Sequence, residues 1–355
     1  MGMGSIFGRY LRAATFGESH GKAVGVVVEG APAGLALDAE LIQRDLDRRR
    51  PGQNAFTSPR KESDQVEILS GVGADGLTLG TPIALLVKNQ DARSKDYGAL
   101  AKVFRPGHAD YAYFHKYGVS PQPGGGRASG RETVGRVAAG AVARALLRPL
   151  GVSLRAYTVQ VGGVLARAVD PDFAEGHPLR AADPQLAEAM AQEVREAMAQ
   201  GDSVGGVVEV LVQGAPAGLG DPVCDKLDAL LAGAMLSIGG VKGLEVGDGF
   251  AAAGRRGSAN NDQISPQGYL SNHAGGILGG ISTGQDIVLR LAIKPTPSIS
   301  QPQQTIDLEG RAQTIEIKGR HDPCLCPRIA PVAEAMAALV LADAWLAQRA
   351  QNNRA

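Results

Sequence analysis

Between residues 134 and 146 apolar side chains recur at helical spacing, at Val134, Val137, Ala138, Ala141, Val142, Ala145 and Leu146. That pattern predicts a helix with one buried face. Elsewhere the apolar residues come in short β-branched runs, 24–28 and 207–212, which predict strands. Each run is followed by the same hexapeptide, GAPAGL, at 30–35 and again at 214–219. A helix is predicted after each copy, opened by Asp38 in the first and by Asp221 in the second, with Pro222 at its first helical position. Two looser matches keep the same order. Residues 73–89 resemble 274–295, each a Gly-rich turn feeding a strand, and 130–147 resemble 319–341, each a Gly-Arg loop feeding an Ala-rich helix. Three pairs in one order predict an internal duplication, with half-repeats at about 8–150 and 204–346. The Ala-rich segment 184–200, with Asp183 before it and Gly201 after, predicts a solvent-facing helix joining the halves. Residues 349–355 form a frayed tail to a single domain over 1–348. Strands and helices cluster without a short βαβ cadence, so the fold class is α+β.

Composition narrows the chemistry. The 355 residues include 48 glycines but only 4% aromatics, a balance suited to tight turns and not to stacking nucleic-acid bases. Thirty-six basic and 36 acidic side chains cancel, so no global field draws in nucleic acid or a membrane and any cationic site is local. Three cysteines, Cys224, Cys324 and Cys326, suit a reducing cytoplasm. The first residues lack the apolar core of a signal peptide, and runs such as 83–87 are too short to span a bilayer.

The stretch 122–133, QPGGGRASGRET, carries the strongest local signal. Gly124, Gly125 and Gly126 permit positive φ and close approach of a ligand. Ser129 and Glu132 have capping-box spacing and predict a helix from Gly130. Its free N–H groups and positive dipole end suit phosphate or carboxylate, with Arg127 and Arg131 adding forked donors. Arg131 has no acidic partner at helical spacing, which marks it as free to bind an anion. Other polar clusters are GESHG with Ser19 and His20, RPGHADY with His108 beside Arg105 and Asp110, and KGRHDPC with Lys318, Arg320, His321 and Asp322. Lys294 and Ser298 bracket KPTPS. Arg48, Arg49 and Arg50 close a helix stopped by Pro51, and by themselves they predict a solvated helix end. HDPCLC lacks a second pair of ligands, so no metal is expected. A P-loop lysine and a dinucleotide G-x-G-x-x-G are both missing. GESHG has no helix pattern behind it, as a hydrolase elbow would, which leaves serine hydrolysis a minor rival.

Taken together and in order, FGESHG, LDRRRPG, FRPGHADY, GGGRASGRET, SIGGVKGLEVGDGF, SNHAGGILGGISTG, IKPTPSI and KGRHDPC resemble the chorismate synthase family, from about Gly8 to Ala344. The resemblance implies helices sandwiched between two antiparallel sheets in two pseudo-symmetric halves, assembled as a homotetramer in the cytoplasm. It implies a lyase that converts 5-enolpyruvylshikimate 3-phosphate to chorismate and phosphate by an anti 1,4-elimination. The cofactor would be reduced FMN, used without net redox change, with an association with NADP. By position His20, His108 and Asp322 match the catalytic groups, and Ser19, Arg49, Ser129, Arg131 and Arg320 the substrate contacts. Arg127, Ala128, Ser129, Gly239, Gly240, Gly279, Lys294, Pro295, Thr296, Pro297, Ser298 and Arg320 match flavin-binding positions. Ala55 stands where many relatives have arginine, with Arg60 nearby as a substitute; Ala128 and Gly130 replace a serine and an alanine. With no dinucleotide fingerprint, the flavin is expected to be reduced by an external reductant. Two rivals stay open: a flavin enzyme using the same pocket for net electron transfer, and a phosphate-binding module without catalysis.

Overall fold

The computed structural model describes residues 4–58, 60, 62–90, 102–120, 122–317, 319 and 321–351. Five antiparallel strands, β1 (Ile6–Phe7), β2 (Arg12–Gly17), β3 (Ala23–Glu29), β4 (Val66–Ser70) and β5 (Ile83–Lys88), form one sheet in the order β1-β2-β3-β5-β4. A second sheet begins with β6 (Ser153–Val161), β7 (Val164–Leu165), β8 (Gly206–Gln213) and β9 (Val241–Val246). After two small hairpins, β10 (Ile264–Ser265) with β11 (Gly268–Tyr269) and β12 (Ile277–Leu278) with β13 (Ile281–Ser282), strand β14 (Ile287–Ile293) completes it in the order β7-β6-β8-β14-β9. A third hairpin joins β15 (Gln303–Ile306) to β16 (Ala312–Ile315). The helices are α1 (Ala39–Arg49), α2 (Asp110–Tyr117), α3 (Thr133–Leu147), α4 (Pro171–Gly176), α5 (Ala187–Ala199), α6 (Leu227–Leu236), α7 (Gly257–Asn260) and α8 (Cys326–Gln351).

Alternation places the sheets. Val24, Val26 and Val28 of β3, Val208, Val210 and Val212 of β8, and Ile287, Leu289 and Leu291 of β14 are all buried, one face of each strand. Helix α3 covers the first sheet and α8 the second, and the two helices pack on each other between them. Small residues set how closely they meet. A Cβ on Gly140 would stand 2.4 Å from that of Ala335, and one on Gly135 would stand 2.7 Å from the Gly25 carbonyl oxygen. The architecture is α+β, as expected. Helix α8 corrects the expectation that all apolar runs are too short to cross a bilayer. It is long and apolar enough by composition, but it is largely buried as the core helix.

The two GAPAGL copies make matching contacts. In the first, Gly34 N–H donates to the Thr78 carbonyl at 2.8 Å, Leu35 N–H to Thr78 Oγ1 at 2.9 Å, and Thr78 Oγ1 to the Pro32 carbonyl at 2.6 Å. In the second, Gly218 N–H donates to the Ser282 carbonyl at 2.9 Å, Leu219 N–H to Ser282 Oγ at 2.9 Å, and Ser282 Oγ to the Pro216 carbonyl at 2.6 Å.

Three local expectations change. Asp38 does cap α1, accepting from Leu41 N–H at 2.7 Å. The second copy's helix begins at Leu227, not at Asp221 and Pro222. Leu227 N–H is held by the Gly280 carbonyl, and the preceding turn is tied by Arg9 to Asp225, so tertiary contacts set that start. The connector helix begins at Ala187 and buries Met190, Ala191 and Val194, so it is amphipathic and docked. Asp183 accepts from Gln185 N–H but also from Arg167 and Ala168 N–H, stapling a neighbouring loop. Of the predicted tail, 349–351 continue α8, and the rest lies outside the described residues.

Candidate active site

A cleft of about 1590 Å³ opens beside the N-terminus of α3. Its centre is the glycine loop. Gly124, Gly125 and Gly126 have φ of +63°, +83° and +52°, the left-handed conformations the sequence called for. The space left by the missing side chains of Gly124 and Gly125 is filled by imidazole. A Cβ on Gly124 would lie 2.1 Å from His20 ring atoms, and one on Gly125 would lie 3.1 Å from His108 Cε1. Three segments far apart in sequence thus seat two histidines against one strip of backbone.

The capping box forms only in half. Ser129 Oγ accepts from Arg131 N–H at 3.3 Å, but Glu132 turns away to accept from Thr15 Oγ1 and Arg136 Nε, each at 2.9 Å. Residues Gly130–Glu132 make a tight 3-10 turn, and α3 proper starts at Thr133.

His108 is anchored from behind. Its Nδ1 lies 2.8 Å from Asp110 Oδ1, and Arg105 donates to both oxygens of that carboxylate, Nε to Oδ2 at 2.6 Å and Nη2 to Oδ1 at 2.8 Å. Burial pushes the Asp110 carboxyl up, but hydrogen bonds from His108 and Arg105 outweigh it and hold the group below the usual carboxylate range. Across the cleft, burial and then the nearby charge of Arg105 lower His321 to about 4, so it is neutral at pH 7. Asp322 is held on both oxygens, by Ser58 N–H at 2.7 Å and Arg328 Nη1 at 2.6 Å. Its carbonyl accepts from Thr296 Oγ1 at 2.6 Å, tying the KPTPS loop to the HDPC loop.

The arginines depart most from expectation. Arg49 is 1% exposed and every end of its fork is bound: Nε to Thr133 Oγ1 at 3.0 Å, Nη1 to Asp64 Oδ2 at 2.9 Å and Nη2 to the Gly130 carbonyl at 2.9 Å. Burial, then the charge of Arg328, lowers it to about 9, with Asp64 opposing, and it stays protonated at pH 7. Arg131 was expected to lack an acidic partner; it is instead paired with Asp64 through Nη1, lies 3.6 Å from Glu62, and donates from Nε to Asn89 at 2.8 Å. Helical spacing could not show this, because the partners come from a different part of the chain. Arg127 reaches β2, donating to Thr15 Oγ1 at 2.8 Å and to the Gly17 carbonyl at 3.1 Å. The triple arginine is not a solvated end: only Arg50 is exposed, while Arg48 and Arg49 enter separate ion clusters.

Ser19 is buried, and its Oγ accepts from Arg60 Nη1 at 3.2 Å, while Arg60 also pairs with Glu62 at 2.6 Å. Arg60 therefore lines the cleft, whereas exposed Ala55 does not. Lys294 donates to the Gly107 carbonyl at 2.5 Å, and burial followed by Lys242 lowers its pKa. Ser129, Ala128, Gly239, Gly240, Thr296, Pro297 and Ser298 join it on the cleft wall. Pro295 and Gly279 do not; Gly279 sits in the turn between β12 and β13. Arg320 and Lys318 lie outside the described residues. Among the described residues no group of three or more His, Cys, Asp or Glu is placed to hold a metal ion. Sequence reasoning missed Asp64, Glu62, Asn89, Thr133 and Arg328. Only Thr133 stands in a motif, as the last residue of GGGRASGRET, and of the others only Asp64, with its φ of +48°, marks a special position, visible in the backbone alone.

The wall suits a flat ring. Gly239 lines the cleft, and a Cβ there would meet nothing within 4 Å, so bare backbone faces open space at that point of the wall. A flavin phosphate requires cations and hydroxyls beside that wall, and Arg127, Lys294, Thr296 and Ser298 supply both kinds of group.

Comparison with known proteins agrees. The family model for chorismate synthase matches residues 11–346. The chain is 58% identical over 343 residues to a chorismate synthase of Syntrophobacter fumaroxidans, covering 97% of each chain. It is 56% identical over 346 residues to that of Nitratidesulfovibrio vulgaris (strain Hildenborough), covering 98% of each. A crystal structure of chorismate synthase superposes with a TM-score of 0.76 at 34% identity, covering 96% of this chain and 93% of that one. With the family model matching residues 11–346, relatives 56% and 58% identical over nearly the whole length, and a superposable crystal structure, the chain belongs to the chorismate synthase family.

Proposed function

We propose that the cleft is where this chain performs the family's reaction, and that its residues divide the work as follows. The reaction is the elimination of phosphate from 5-enolpyruvylshikimate 3-phosphate to give chorismate, with reduced FMN as the required cofactor and no net redox change. When bound, the reduced flavin supplies electron density as phosphate leaves. His20 and His108, on the side of the cleft formed by the glycine loop, act as general acids. Asp322 keeps a carboxylate opposite them. Arg131 and Ser129, at the start of α3, face the anionic substrate, with Arg49 fixed beneath them through Asp64 and Thr133; Ser19 and Arg320 are assigned to the substrate by their place in the family motifs. Arg127, Ala128, Gly239, Gly240 and residues 294–298 form the flavin side, with Gly279, Pro295 and Arg320 assigned to it by their place in the family motifs. Gly279 lies off the cleft of a single chain, which fits a homotetramer in which a neighbour brings that turn close.

The observation that carries this reading is the seating of both histidines on one glycine strip inside a basic cleft. A simple anion binder does not need them. We further propose that the chain arose by duplication into two pseudo-symmetric halves within one domain, on the matching hydrogen bonds around Thr78 and Ser282. The enzyme works in the cytoplasm on a small molecule, without nucleic acid or membrane, and depends on an external flavin reductant, NADP(H) acting through that partner.

The deciding experiment is anaerobic incubation with chemically reduced FMN and 5-enolpyruvylshikimate 3-phosphate, following phosphate and chorismate together. Equal amounts of both are expected. His20→Ala and His108→Ala should each lower turnover by roughly 10²-fold or more while leaving flavin binding intact. Wild-type turnover in either variant removes that histidine from the mechanism, and chorismate formed from NADPH and oxidised FMN alone refutes the external reductant.

A further inference from the structure

His108 faces the cleft with one ring nitrogen because the other is taken. Its Nδ1 lies 2.8 Å from Asp110, a carboxylate 5% exposed at the first position of α2, where free N–H groups favour negative charge. Arg105 straps both oxygens of the same carboxylate. In front, the ring's Cε1 and Nε2 lie 3.1 and 3.2 Å from where a Cβ of Gly125 would stand. The imidazole is clamped between a carboxylate and bare backbone.

We propose that Asp110 is a positioning residue for His108: it fixes the proton on Nδ1, so that Nε2 alone exchanges a proton with the cleft, and Arg105 keeps Asp110 ionised for that task. This rests on the reading of His108 as a proton donor. A carboxylate accepts and does not donate, so Nδ1 must carry hydrogen in both charge states of the ring. The second proton therefore arrives and departs at Nε2. Among the described residues, the charged and titratable groups facing His108 are Asp110 and Arg105 from its own loop, His321 from the segment before α8, and Lys294 from the end of β14, bound to the Gly107 carbonyl. Asp110 is the only anion among these four. Its loss should weaken proton binding by His108, and loss of Arg105 should strengthen it.

The chain contains six histidines, few enough for ¹⁵N NMR of the histidine-labelled full-length protein, with the signal assigned by His108→Asn. We expect the Nδ1–H tautomer in the wild type. In Asp110→Asn one acceptor oxygen replaces two where four donors converge, and we expect the tautomer to be lost. Turnover should then fall roughly 10²-fold or more with little change in KM, as for other histidines held in the wrong tautomer. The basic limb of the kcat/KM profile should move to lower pH, and Asp110→Asn should add no further loss in a His108→Asn background. Arg105→Met should move the basic limb the other way, which keeps the proposal testable if Asp110→Asn does not fold. An unchanged tautomer in Asp110→Asn, or unchanged pH limbs in both variants, overturns it. Full turnover in His108→Asn would instead refute the role of His108, while the tautomer measurement still judges Asp110.

Discussion

Arg48 and Arg49 are neighbours on α1, yet they enter two different buried ion clusters. Arg49 shares Asp64 with Arg131, under the floor of the main cleft. Arg48 shares Glu334 with Arg144, beside a smaller recess of about 470 Å³. Each cluster puts one fully buried carboxylate between two arginines. They differ in what surrounds them. The Glu334 cluster joins α1, α3, α8 and β6, with Arg48 also bound to Glu175 of α4 and Glu334 accepting from Ala156 N–H at 2.6 Å. The Asp64 cluster lies next to the glycine loop, Ser129 and the histidines. A buried ion pair is weak support for stability or for function until its surroundings are known. Here the first cluster is a strut between layers, and the second is a cationic surface held in place.

The comparison breaks or sharpens under substitution. Asp64→Asn should have the largest effect, because it unpairs two arginines and deforms the floor of the cleft. We expect a stability loss of roughly 3–5 kcal/mol in urea melts, together with turnover per folded molecule lower by ~10²-fold or more, the scale of misplaced binding groups. Wild-type turnover in the folded fraction would make this cluster a strut as well. Glu334→Ala should cost a similar ~3–5 kcal/mol with turnover per folded molecule nearly unchanged. A large loss of activity there, at conditions where the variant is folded, would erase the distinction.

Acid should act on the strut in a defined direction. Burial pushes Glu334 up, but Arg144 and Arg48 outweigh it and hold the carboxyl at about 2, against an ordinary value of 4.5. A depressed carboxylate contributes stability that is fully present above its unfolded pKa and is lost as pH falls through the folded one. About 3 kcal/mol should therefore disappear between roughly pH 5 and pH 2. Urea melts across that window should show the loss in the wild type and a flatter dependence in Glu334→Gln; equal slopes would discount the cluster as a source of acid sensitivity. The smallest change in stability should come from Gly239→Ala on the cleft wall, within about 0.5 kcal/mol. Its Cβ would enter open space in the cleft, so reduced FMN should bind measurably more weakly in anaerobic fluorescence titrations. Unaltered flavin affinity would move the ring away from that wall.

Much of the fold was legible because it is written locally. Short β-branched runs marked β3 and β8, helical spacing marked α3, and Asp38 marked the start of α1. The start of α6 was not legible, since the Gly280 carbonyl and the Arg9–Asp225 pair determine it. In the site, the glycine loop, both histidines and Asp322 could be picked out by motif. Arg105 and Asp110 stand in the same motif as His108, but partners from elsewhere in the chain could not be read. Ser58 binds Asp322 across 264 residues and Asn89 binds Arg131 across 42.

The sequence by itself determined the family, the strands and core helices, and which residue types bear the chemistry. Short-range periodicity and turn composition act through bonds and neighbours a few positions away. Only the tertiary structure decided which arginines are bound and by what. Arg48 meets Glu334 across 286 residues and Arg49 meets Asp64 across 15, while adjacent side chains on a helix point in directions about 100° apart. Two consecutive arginines therefore look alike in sequence, and the packing of the layers around α1 assigns one to a strut and the other to the cleft.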